Sequence, residues 1–463
     1  MALQPIRPAC CENHLLGLPF RSQNGVLPNI AMDIQNIGLV GLGTVGTGVA
    51  SLVQDNSNRI VTSTGIEVNL SRIVVRNLDK SREIELPNSV LTADLDDLLE
   101  DESIDVVMQL VGGTGPAREI MLALLRSGKN VVTANKALLA EHGNELFDTA
   151  RQFNCTIAFE AAVAAGIPIV NAITQSLTAN NITSLRGILN GTTNYIVTQI
   201  SEGSVTYQQA LKNAQELGYA EPDPTFDVDG SDAAQKLAIL AQLAFGAQPD
   251  WKAIPCRGID SINEIDFEYS RQLEYRIKLI SYAVVGKQGL QLSVSPMLVK
   301  AGSPLAEVRE NFNAISIVGD AVGPVFLHGQ GAGQMPTASA VVSDLIDTLT
   351  GRTAITFEKS KLWSDSTNRA SVDQPGNLWG RNYLRFNVDD EPGVLAQIAG
   401  ILGENGISIA SVVQHDHSDE SRGGVPVVIV TQPALESAAQ KAVDIITQLP
   451  VVRDTHERLR ILD

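Results

Sequence analysis

Apolar runs and amphipathic stretches alternate along the first third of the chain. Short runs typical of buried strands lie at residues 37–40, 70–75, 106–111 and 130–133, and helical patterns lie between them. Parallel strands need a crossover connection, which is usually a helix. This order therefore predicts a doubly wound parallel sheet of the α/β class over residues 34–158.

The pattern changes after residue 158. Residues 159–333 combine small-residue loops with strand and helix patterns and predict an α/β catalytic and dimerisation domain, after which a helix over 334–352 is expected to return to the first sheet. Residues 353–378 are polar and contain Pro-Gly, as linkers do. Over 379–463 the order strand, helix, strand, strand, helix, strand predicts a ferredoxin-like unit, which serves either small-ligand sensing or simple dimerisation.

Length, composition and charge limit the class of protein. A chain of 463 residues, 44% hydrophobic and 19% charged, is typical of a soluble globular protein with several domains. The net charge of −18 argues against nucleic acid, whose phosphates would repel it, and against anionic membrane surfaces. No apolar stretch is long enough to span a bilayer. Four cysteines without paired spacing predict a reducing, cytoplasmic location, and residues 1–33 predict a loose N-terminal extension.

A glycine motif follows the first predicted strand. Residues 41–46 read GLGTVG and lead into the helical stretch VASLVQ. Strand, G-x-G-x-x-G and helix form the dinucleotide fingerprint, in which Gly41 makes the tight turn, Gly43 admits the pyrophosphate and Gly46 lets helix and strand pack. The alternative is a glycine-rich turn that binds nothing. In this context the motif predicts a Rossmann-type nucleotide-binding domain.

Two cationic residues follow predicted strands, at the sheet edge where open α/β folds bind ligands. Arg76 follows the second strand, at the place where an NAD enzyme usually carries an acid for the ribose hydroxyls. An arginine there suits a 2′-phosphate and favours NADP, although strand-end arginines are also common surface residues. Lys136 follows the fourth strand, and it is either a ligand contact or a surface lysine.

The segment 221–236, EPDPTFDVDGSDAAQK, concentrates acidic residues ahead of a predicted helix. The helix is expected to begin near Ser231, with that serine as its cap. Asp232 and Lys236 are four residues apart and share one helix face. A solvated pair of this kind is worth only roughly 0.3–0.5 kcal/mol. Because the next run, LAILAQLAF, is apolar almost all round, the pair is instead predicted to lie in a cleft and to bind and protonate a small polar substrate.

A loop of small residues, EAAVAAGIP, begins at Glu160. Small residues permit close backbone approach and expose carbonyl oxygens, and a carboxylate together with carbonyls suits a hard cation. The same residues also suit tight packing against a neighbouring element. From residue types alone, tight packing is the preferred interpretation.

Together, six sequence motifs resemble those of the homoserine dehydrogenase family. They are GLGTVG, TANKAL, FEAAVAAGIPI, GILNGTTNYI, ELGYAEPDPTFDVDGSDAAQK and GQGAG followed by PTASAVVSDL. Several such motifs in one order identify a family far more specifically than any single motif. The resemblance covers residues 34–352. The C-terminal unit resembles an ACT regulatory domain. The resemblance implies a monofunctional enzyme, because the aspartate kinase domain of bifunctional relatives has no room here.

The resemblance implies a reaction and a role for each polar residue. The family interconverts L-aspartate 4-semialdehyde and L-homoserine with a nicotinamide cofactor, on the route to threonine, methionine and isoleucine. Lys236 is then the proton donor, and Asp232 orients and tunes it. Glu221 and Asp227 would bind the substrate ammonium. Lys136 would lie near the nicotinamide and the substrate.

The resemblance also implies ligands besides the substrate. NADP(H) is the expected coenzyme, with NAD(H) as the alternative, and its contacts carry over to Thr44, Val45, Arg76, Lys136 and Gly331. A monovalent cation, Na+ or K+, is implied on the Glu160 side chain and the carbonyls of Val163, Ala165 and Ile167. This overturns the packing interpretation of that loop. Threonine is the implied effector of the ACT domain, and a homodimer or homotetramer is the implied assembly.

Two other interpretations of the protein's function remain open. Aspartate semialdehyde dehydrogenase also binds NADP, but it needs a nucleophilic cysteine. Cys155 lies in a strand-like run, and no matching cysteine loop is visible. The other reading is a catalytically inactive amino-acid sensor on the same fold. The intact Lys236, Asp232 and Glu221 argue against it.

Overall fold

Residues 33–158 form a parallel sheet between two apolar layers. The computed structural model of the protein describes residues 33–203, 205–364, 370–373, 375–414 and 424–462, so the predicted extension lies outside the described residues apart from Asp33. The strands of this sheet are β1 (Asp33–Val40), β2 (Ile66–Val74), β3 (Leu91–Thr92), β4 (Ile104–Gln109), β5 (Asn130–Thr133) and β6 (Ile157–Ala158). Its helices are α1 (Thr44–Asp55), α2 (Ser57–Thr64), α3 (Asp96–Leu99), α4 (Gly115–Arg126) and α5 (Lys136–Gln152).

The strand order is β3-β2-β1-β4-β5-β6, and each neighbouring pair is parallel. Strand β4 is buried on both faces: Val106 and Met108 join one apolar cluster, and Val107 joins the other. This explains the continuous apolar runs in the sequence. The doubly wound sheet predicted from the sequence is confirmed, and its loops after β1, β4 and β5 meet at one edge.

The middle of the chain builds an antiparallel sheet covered by helices. Its strands are β7 (Ile182–Ile188), β8 (Tyr275–Val285), β9 (Leu290–Lys300), β10 (Phe312–Gly319) and β11 (Gly323–Gln330), in the order β11-β10-β7-β8-β9. Its helices are α6 (Ile169–Asn171), α7 (Gly191–Gly203), α8 (Tyr207–Glu216), α9 (Thr225–Val228), α10 (Ser231–Phe245) and α11 (Glu264–Gln272). Helix α10 runs through the apolar core and also packs on α5, so it joins the two domains.

Helix α12 (Gln334–Leu349) returns to the first sheet and packs on α1. The predicted linker over 353–378 is only partly extended. Its start forms α13 (Arg352–Ser360). The buried Trp363 then stacks on Phe147 of α5, with ring centroids 4.4 Å apart. Polar composition did not indicate this packing, because the polar residues surround one large aromatic anchor.

The C-terminal unit has the predicted ferredoxin-like order. It consists of β12 (Trp379–Val388), α14 (Val394–Glu404), β13 (Ile409–Gln414), β14 (Val425–Thr431), the short β15 (Ala434–Leu435), α15 (Glu436–Ile446) and β16 (Val452–Leu462). Strand β16 also pairs in parallel with β9 through Arg460–Leu462 and Met297–Val299. The two sheets are therefore one continuous sheet. No helix within the described residues is long and apolar enough to cross a membrane.

Candidate active site

Helix α10 carries two charged side chains into the protein interior. Lys236 and Asp232 are 7% and 5% exposed, and the Lys236 Nζ donates to an Asp232 carboxylate oxygen at 2.8 Å. A second N–H of Lys236 donates to the carbonyl oxygen of Leu189 at 2.7 Å. Since a lysine has three donors, one N–H of Lys236 has no partner within the described residues. The pair is buried, as the apolar run after it predicts.

A glycine, not a serine, precedes the first turn of α10. Gly230 adopts a φ of 90°, which glycine reaches readily, and Ser231 is the first helical residue. The amide of Ser231 donates to an Asp229 carboxylate oxygen at 2.8 Å. The expected Ser231 cap is therefore wrong, because the serine lies inside the helix and Asp229 satisfies its amide. Asp232 remains in the first turn, where the helix dipole favours a negative charge.

Lys136 reaches the same carboxylate from the nucleotide-binding domain. It is the first residue of α5, whose first turn is capped by the Asn135 side chain. The Lys136 Nζ lies 3.1 Å from the second carboxylate oxygen of Asp232. Asn135 also donates to the carbonyls of Val111 and Gly113, which ties two strand-end loops together. Asp232 thus lies between two lysines, one from each domain, in the cleft between them.

These charges fix the protonation states of the site. Burial alone would raise the pKa of Asp232, but the charges of Lys236 and Lys136 and the hydrogen bonds from Lys236 and Asn190 outweigh it and hold that pKa well below its usual range. The charge of Asp232 raises the pKa of Lys136, despite the opposing effect of burial. At neutral pH the site therefore holds an ionised Asp232 and a protonated Lys136.

Asn190 belongs to this cluster, although the sequence analysis did not single it out. Its Nδ2 donates to Asp227 at 2.8 Å and to Asp232 at 2.9 Å, and its Oδ1 accepts the amide N–H of Thr193 at 2.7 Å. Residues 191–194 begin α7. The available signal was the asparagine in GILNGTTNYI, two residues after the end of β7.

The two predicted ammonium partners lie on the more open side of the cluster. Asp227 is partly buried, and burial is the main cause that raises its pKa above the ordinary value. Glu221 is exposed, and its charge contributes to the raised pKa of Lys136. The structure therefore brings five predicted residues together at one cleft: Lys236, Asp232, Lys136, Asp227 and Glu221.

The glycine turn has the geometry that a dinucleotide needs. Gly41 adopts a φ of 98°, and a Cβ on Gly46 would lie 2.1 Å from the carbonyl oxygen of Gly41. A Cβ on Gly43 would meet nothing within 4 Å, so that face is open. Thr44 and Val45 begin α1, whose first turn has no side-chain cap. Free amides at a helix N-terminus fit the pyrophosphate of a nicotinamide dinucleotide.

Arg76 lies beside this turn. It is exposed, two residues beyond the end of β2. The last carbonyl of that strand, at Val74, accepts the N–H of Gly41 at 3.0 Å. Arg76 is thus near the strand end next to the nucleotide loop, the place in this fold class where the ribose of a dinucleotide lies.

Gly331 is buried in the loop between β11 and α12. A Cβ at this position would lie 2.1 Å from the Asn313 side chain, so the glycine permits close packing. From the start of α12, Gln334 donates to the carbonyl of Thr44 at 3.0 Å. The loop that contains Gly331 is therefore connected to the nucleotide turn through α12.

The predicted cation loop is buried and already carries hydrogen bonds. Glu160 is 3% exposed, and its two carboxylate oxygens accept the amides of Val170 and Asn171, each at 2.8 Å. Its own amide donates to Asp344 at 2.7 Å. Burial raises the pKa of Glu160 to about 7, although these amides oppose the shift. Within the described residues no group of three or more His, Cys, Asp or Glu could hold a metal ion.

Oxygen atoms that could bind a cation remain available in this loop. The carbonyl of Ile167 accepts the amide of Ile169 at 2.7 Å, whereas no described hydrogen bond uses the carbonyls of Val163 and Ala165. Ala164 between them adopts a φ of 50°, an uncommon conformation that redirects the chain. A carboxylate accepts about four hydrogen bonds, so the Glu160 carboxylate can accept more than the amide bonds that it already has. Neutral carbonyls with one carboxylate fit a monovalent cation.

Neither described cysteine is placed as a nucleophile for acyl transfer. Cys155 is 2% exposed, and burial raises the pKa of its thiol. Cys256 is exposed, but burial of its thiol and the charge of Asp229 raise its pKa to about 11. A thiol that stays protonated is a poor nucleophile. The site does not support an aspartate semialdehyde dehydrogenase.

A dinucleotide turn on one domain and a buried lysine with carboxylates on the other define the class. The chain is an NAD(P)-dependent oxidoreductase with a C-terminal regulatory-type domain. Three family models match it in order: the homoserine dehydrogenase NAD-binding domain over residues 41–160, homoserine dehydrogenase over 168–346 and the ACT domain over 382–446. The chain belongs to the homoserine dehydrogenase family.

Individual relatives agree with the family models. The homoserine dehydrogenase of Bacillus subtilis is 37% identical over 436 residues, which are 93% of this chain and 99% of the relative. That of Synechocystis is 40% identical and covers 92% and 99%. The crystal structure of a homoserine dehydrogenase from Thiobacillus denitrificans superimposes with a TM-score of 0.85 at 39% identity, covering 93% and 99%. A hyperthermophilic archaeal homoserine dehydrogenase in complex with NADPH has a TM-score of 0.57 at 29% identity, covering 68% and 98%.

Proposed function

We propose that the protein reduces L-aspartate 4-semialdehyde to L-homoserine with NADPH, reversibly, in the biosynthesis of threonine, methionine and isoleucine. The observation that carries the proposal is Lys236. It is buried, paired with Asp232 and Leu189, and retains one N–H for a substrate oxygen. A carbonyl reduction needs such a donor opposite the coenzyme.

Lys236 delivers the proton in this reaction. A bound nicotinamide would supply the hydride for the aldehyde carbon. The Lys236 Nζ gives its proton to the aldehyde oxygen, which becomes the hydroxyl of homoserine. Asp232 holds that ammonium in place through the 2.8 Å bond. Lys136, 3.1 Å from Asp232, adds positive charge where the oxyanion forms and contacts both substrate and nicotinamide.

Carboxylates bind the amino-acid end of the substrate. The ammonium of aspartate semialdehyde needs anionic partners, and Glu221 and Asp227 lie on the open side of the cluster. Asn190 fixes Asp227 through one 2.8 Å bond, so the carboxylate is oriented before substrate arrives. Because the carboxylate is already oriented, less conformational entropy is lost when the substrate binds.

NADPH is the preferred coenzyme in this proposal, with NADH as the weaker one. Arg76 supports the preference, since a guanidinium pairs well with a phosphate. The contacts are Gly41, Gly43, Gly46, Thr44, Val45, Arg76, Lys136 and Gly331. The archaeal relative bound to NADPH is consistent with this choice.

A monovalent cation, Na+ or K+, completes the site in this proposal. It would be held by the Glu160 carboxylate and the carbonyls of Val163, Ala165 and Ile167, and it would stabilise the ionised carboxyl. Its position between the domains would fix the loop that supports α6 and α12. No reaction step passes through it.

Threonine is the proposed effector of the ACT domain. The residues before α14, Asp389 to Gly393, would bind it at an interface with a second copy, in a homodimer or homotetramer. The alternative is an ACT domain that only assists dimerisation. Inhibition of the full chain by millimolar L-threonine but not D-threonine would support the effector role. Insensitivity to both would support the alternative, in which the ACT domain only assists dimerisation. Sedimentation velocity tests the assembly.

A direct assay tests the proposed reaction. Purified protein is supplied with L-aspartate 4-semialdehyde and NADPH, and NADPH oxidation is followed together with the appearance of homoserine. Homoserine formation is the expected result. Coenzyme oxidation without homoserine, or no turnover at all, would favour an inactive amino-acid sensor instead.

A further inference from the structure

Residues 255–259, here called the brace, support the backbone ahead of α10. The amide of Ile259 donates to the carbonyl of Val228 at 3.0 Å, and the Cys256 thiol donates to the carbonyl of Asp229 at 3.3 Å. Gly258 lies so close that a Cβ would be 2.0 Å from the Val228 oxygen. The brace therefore sets the position of residues 227–230, which carry Asp227 and lead into the first turn of α10.

Arg257 attaches the brace to the ACT domain. Its guanidinium donates to both carboxylate oxygens of Glu457 on β16, at 2.6 and 2.7 Å, and to the carbonyl of Arg458 at 2.8 Å. Glu457 is 3% exposed, so its charge depends on this partner. The backbone amide of Arg257 also donates to Val294 of β9 at 2.9 Å. One residue thus bonds to the catalytic sheet, the ACT strand and, through its neighbours, the substrate loop.

We infer that Arg257 is a positioning residue for substrate binding: it fixes the brace against β16, and the brace holds Asp227 in the geometry that receives the substrate ammonium. The inference rests on the role proposed for Asp227. A buried Glu457 without its arginine would draw water or another cation into the interface, and the brace would shift with it. Asp227 would then meet the ammonium less well, while the coenzyme loops in the other domain would be unaffected.

The ACT domain is connected to the active site by the same contacts. A change in the position of β16 can reach the residues beside Asp227 through the contact of Glu457 with Arg257 and then through the contacts of the brace with Val228 and Asp229. The coenzyme turn at residues 41–46 has no part in this route. An effect on the ACT domain is therefore expected to alter the affinity for the amino-acid substrate more than the affinity for the coenzyme.

The test measures homoserine oxidation by the full chain, with L-homoserine and NADP+ varied separately. Arg257→Ala should raise the KM for homoserine about tenfold or more. Without the charge-assisted bonds to Glu457, the brace no longer holds the Asp227 carboxylate in position. The KM for NADP+ and kcat should stay near wild type, as expected when only binding common to ground and transition state is lost. Arg257→Lys, which keeps the charge without the two-pronged geometry, should give an intermediate KM.

The matched control is Arg453→Ala, which removes an exposed arginine of the same strand that pairs with Asp389. It should leave both KM values unchanged. If Arg257→Ala does not fold, Glu457→Gln is measured in the same way and should raise only the homoserine KM. An unchanged homoserine KM in a folded variant, or a parallel rise of both KM values, would overturn the inference.

Failure of the inference and failure of the proposed site are distinguishable. Asp227→Asn, assayed alongside, should raise the homoserine KM on its own. If it does not, Asp227 is not the ammonium partner and the inference falls with it. If Asp227→Asn raises the KM and Arg257→Ala does not, the substrate site stands and only the role of Arg257 is wrong.

Discussion

Two buried charged clusters of this protein use their hydrogen bonds differently. In the active-site cluster, Lys236 and Lys136 share the carboxylate of Asp232, and Lys236 keeps one N–H without a partner among the described residues. In the interdomain cluster, Arg385 pairs with both oxygens of Asp266, at 2.6 and 3.0 Å. The hydroxyl of Tyr383 donates to the same carboxylate at 2.8 Å.

The difference separates a reactive site from a structural one. The Arg385 guanidinium cannot release a proton, and its two-pronged geometry suits a fixed contact. Lysine is a mobile donor whose pKa responds to its surroundings, which proton transfer requires. Burial of Asp266 is complete, whereas Lys136 is 31% exposed toward the cleft. A lysine proton that can be transferred, and not buried charge as such, identifies the catalytic cluster.

The strongest test removes the reactive lysine. Lys236→Ala should lower kcat by about 10²–10⁴-fold, the contribution of a positioned acid, and leave NADPH binding nearly intact. Asp232 would still be neutralised by Lys136, so the fold should persist. Steady-state NADPH oxidation and NADPH titration measure the two effects.

Lys212→Ala is the matched control, since Lys212 and Glu216 form an exposed pair with the same four-residue spacing, 3.7 Å apart. It should have wild-type turnover. Near-normal turnover of Lys236→Ala would remove the distinction between the two clusters.

The second test breaks the structural cluster. Arg385→Met leaves Asp266 buried without its cation and should destabilise the protein by roughly 3–5 kcal/mol, with kcat largely preserved at temperatures where the protein is folded. Thermal unfolding measures the loss. The double variant Asp266→Leu with Arg385→Met should recover much of the stability, because no unpaired charge remains. A double variant as unstable as the single one would mean that packing, and not charge pairing, holds the interface.

The third test concerns an exposed arginine, Arg76, at the proposed coenzyme site. Arg76→Ala should weaken NADPH binding by about 1.5–3 kcal/mol and barely change NADH binding, since only NADPH carries the 2′-phosphate. Fluorescence titration of both coenzymes measures this. Arg59→Ala, another exposed cation of the same domain, should affect neither. Equal losses for both coenzymes would make Arg76 a structural residue.

The smallest expected effect concerns Glu160, a buried carboxyl without a cationic partner in the described residues. Its pKa of about 7 lies above the ordinary 4.5, so the folded state holds the proton more tightly than the unfolded state. This stability is complete below pH 4.5 and is lost as pH rises to about 7. Added Na+ or K+ at pH 8 should restore part of it by favouring the ionised form. Tetramethylammonium at equal ionic strength should not, and thermal unfolding that ignores the choice of cation would contradict the proposed site.

Local signals in the sequence were sufficient for the nucleotide turn and for the buried lysine. Gly41 and Gly46 each meet a steric requirement set within a few residues, a positive φ at Gly41 and the close carbonyl of Gly41 at Gly46. The apolar run after Lys236 correctly indicated that its first turn lies inside. The family resemblance is confirmed by the matching models and relatives. The roles of the individual site residues stay predictions.

Contacts between distant segments could not be predicted in the same way. Asn190 joins Asp227 and Asp232 only after β7 and α10 pack, and its place near a strand end does not indicate these two partners. The pairing of β16 with β9 depends on two strands that are far apart in the chain, and composition carries no information on it. The Ser231 cap failed because the helix already includes Ser231: Gly230 is at the N-cap position, and the Asp229 carboxylate accepts the Ser231 amide.

The continuous sheet has a consequence for how the protein is made. During synthesis β9 emerges long before β16, so the end of its outer edge at Met297–Val299 stays without its partner until the C-terminal strand is available. Unpaired edges of apolar sheets are sites of self-association, and pairings between distant segments form slowly. Chains cut before β16 should therefore be more prone to self-association than the full chain, which light scattering would measure. Whatever it binds, the ACT domain therefore covers part of an edge of the catalytic sheet that could otherwise pair with another chain.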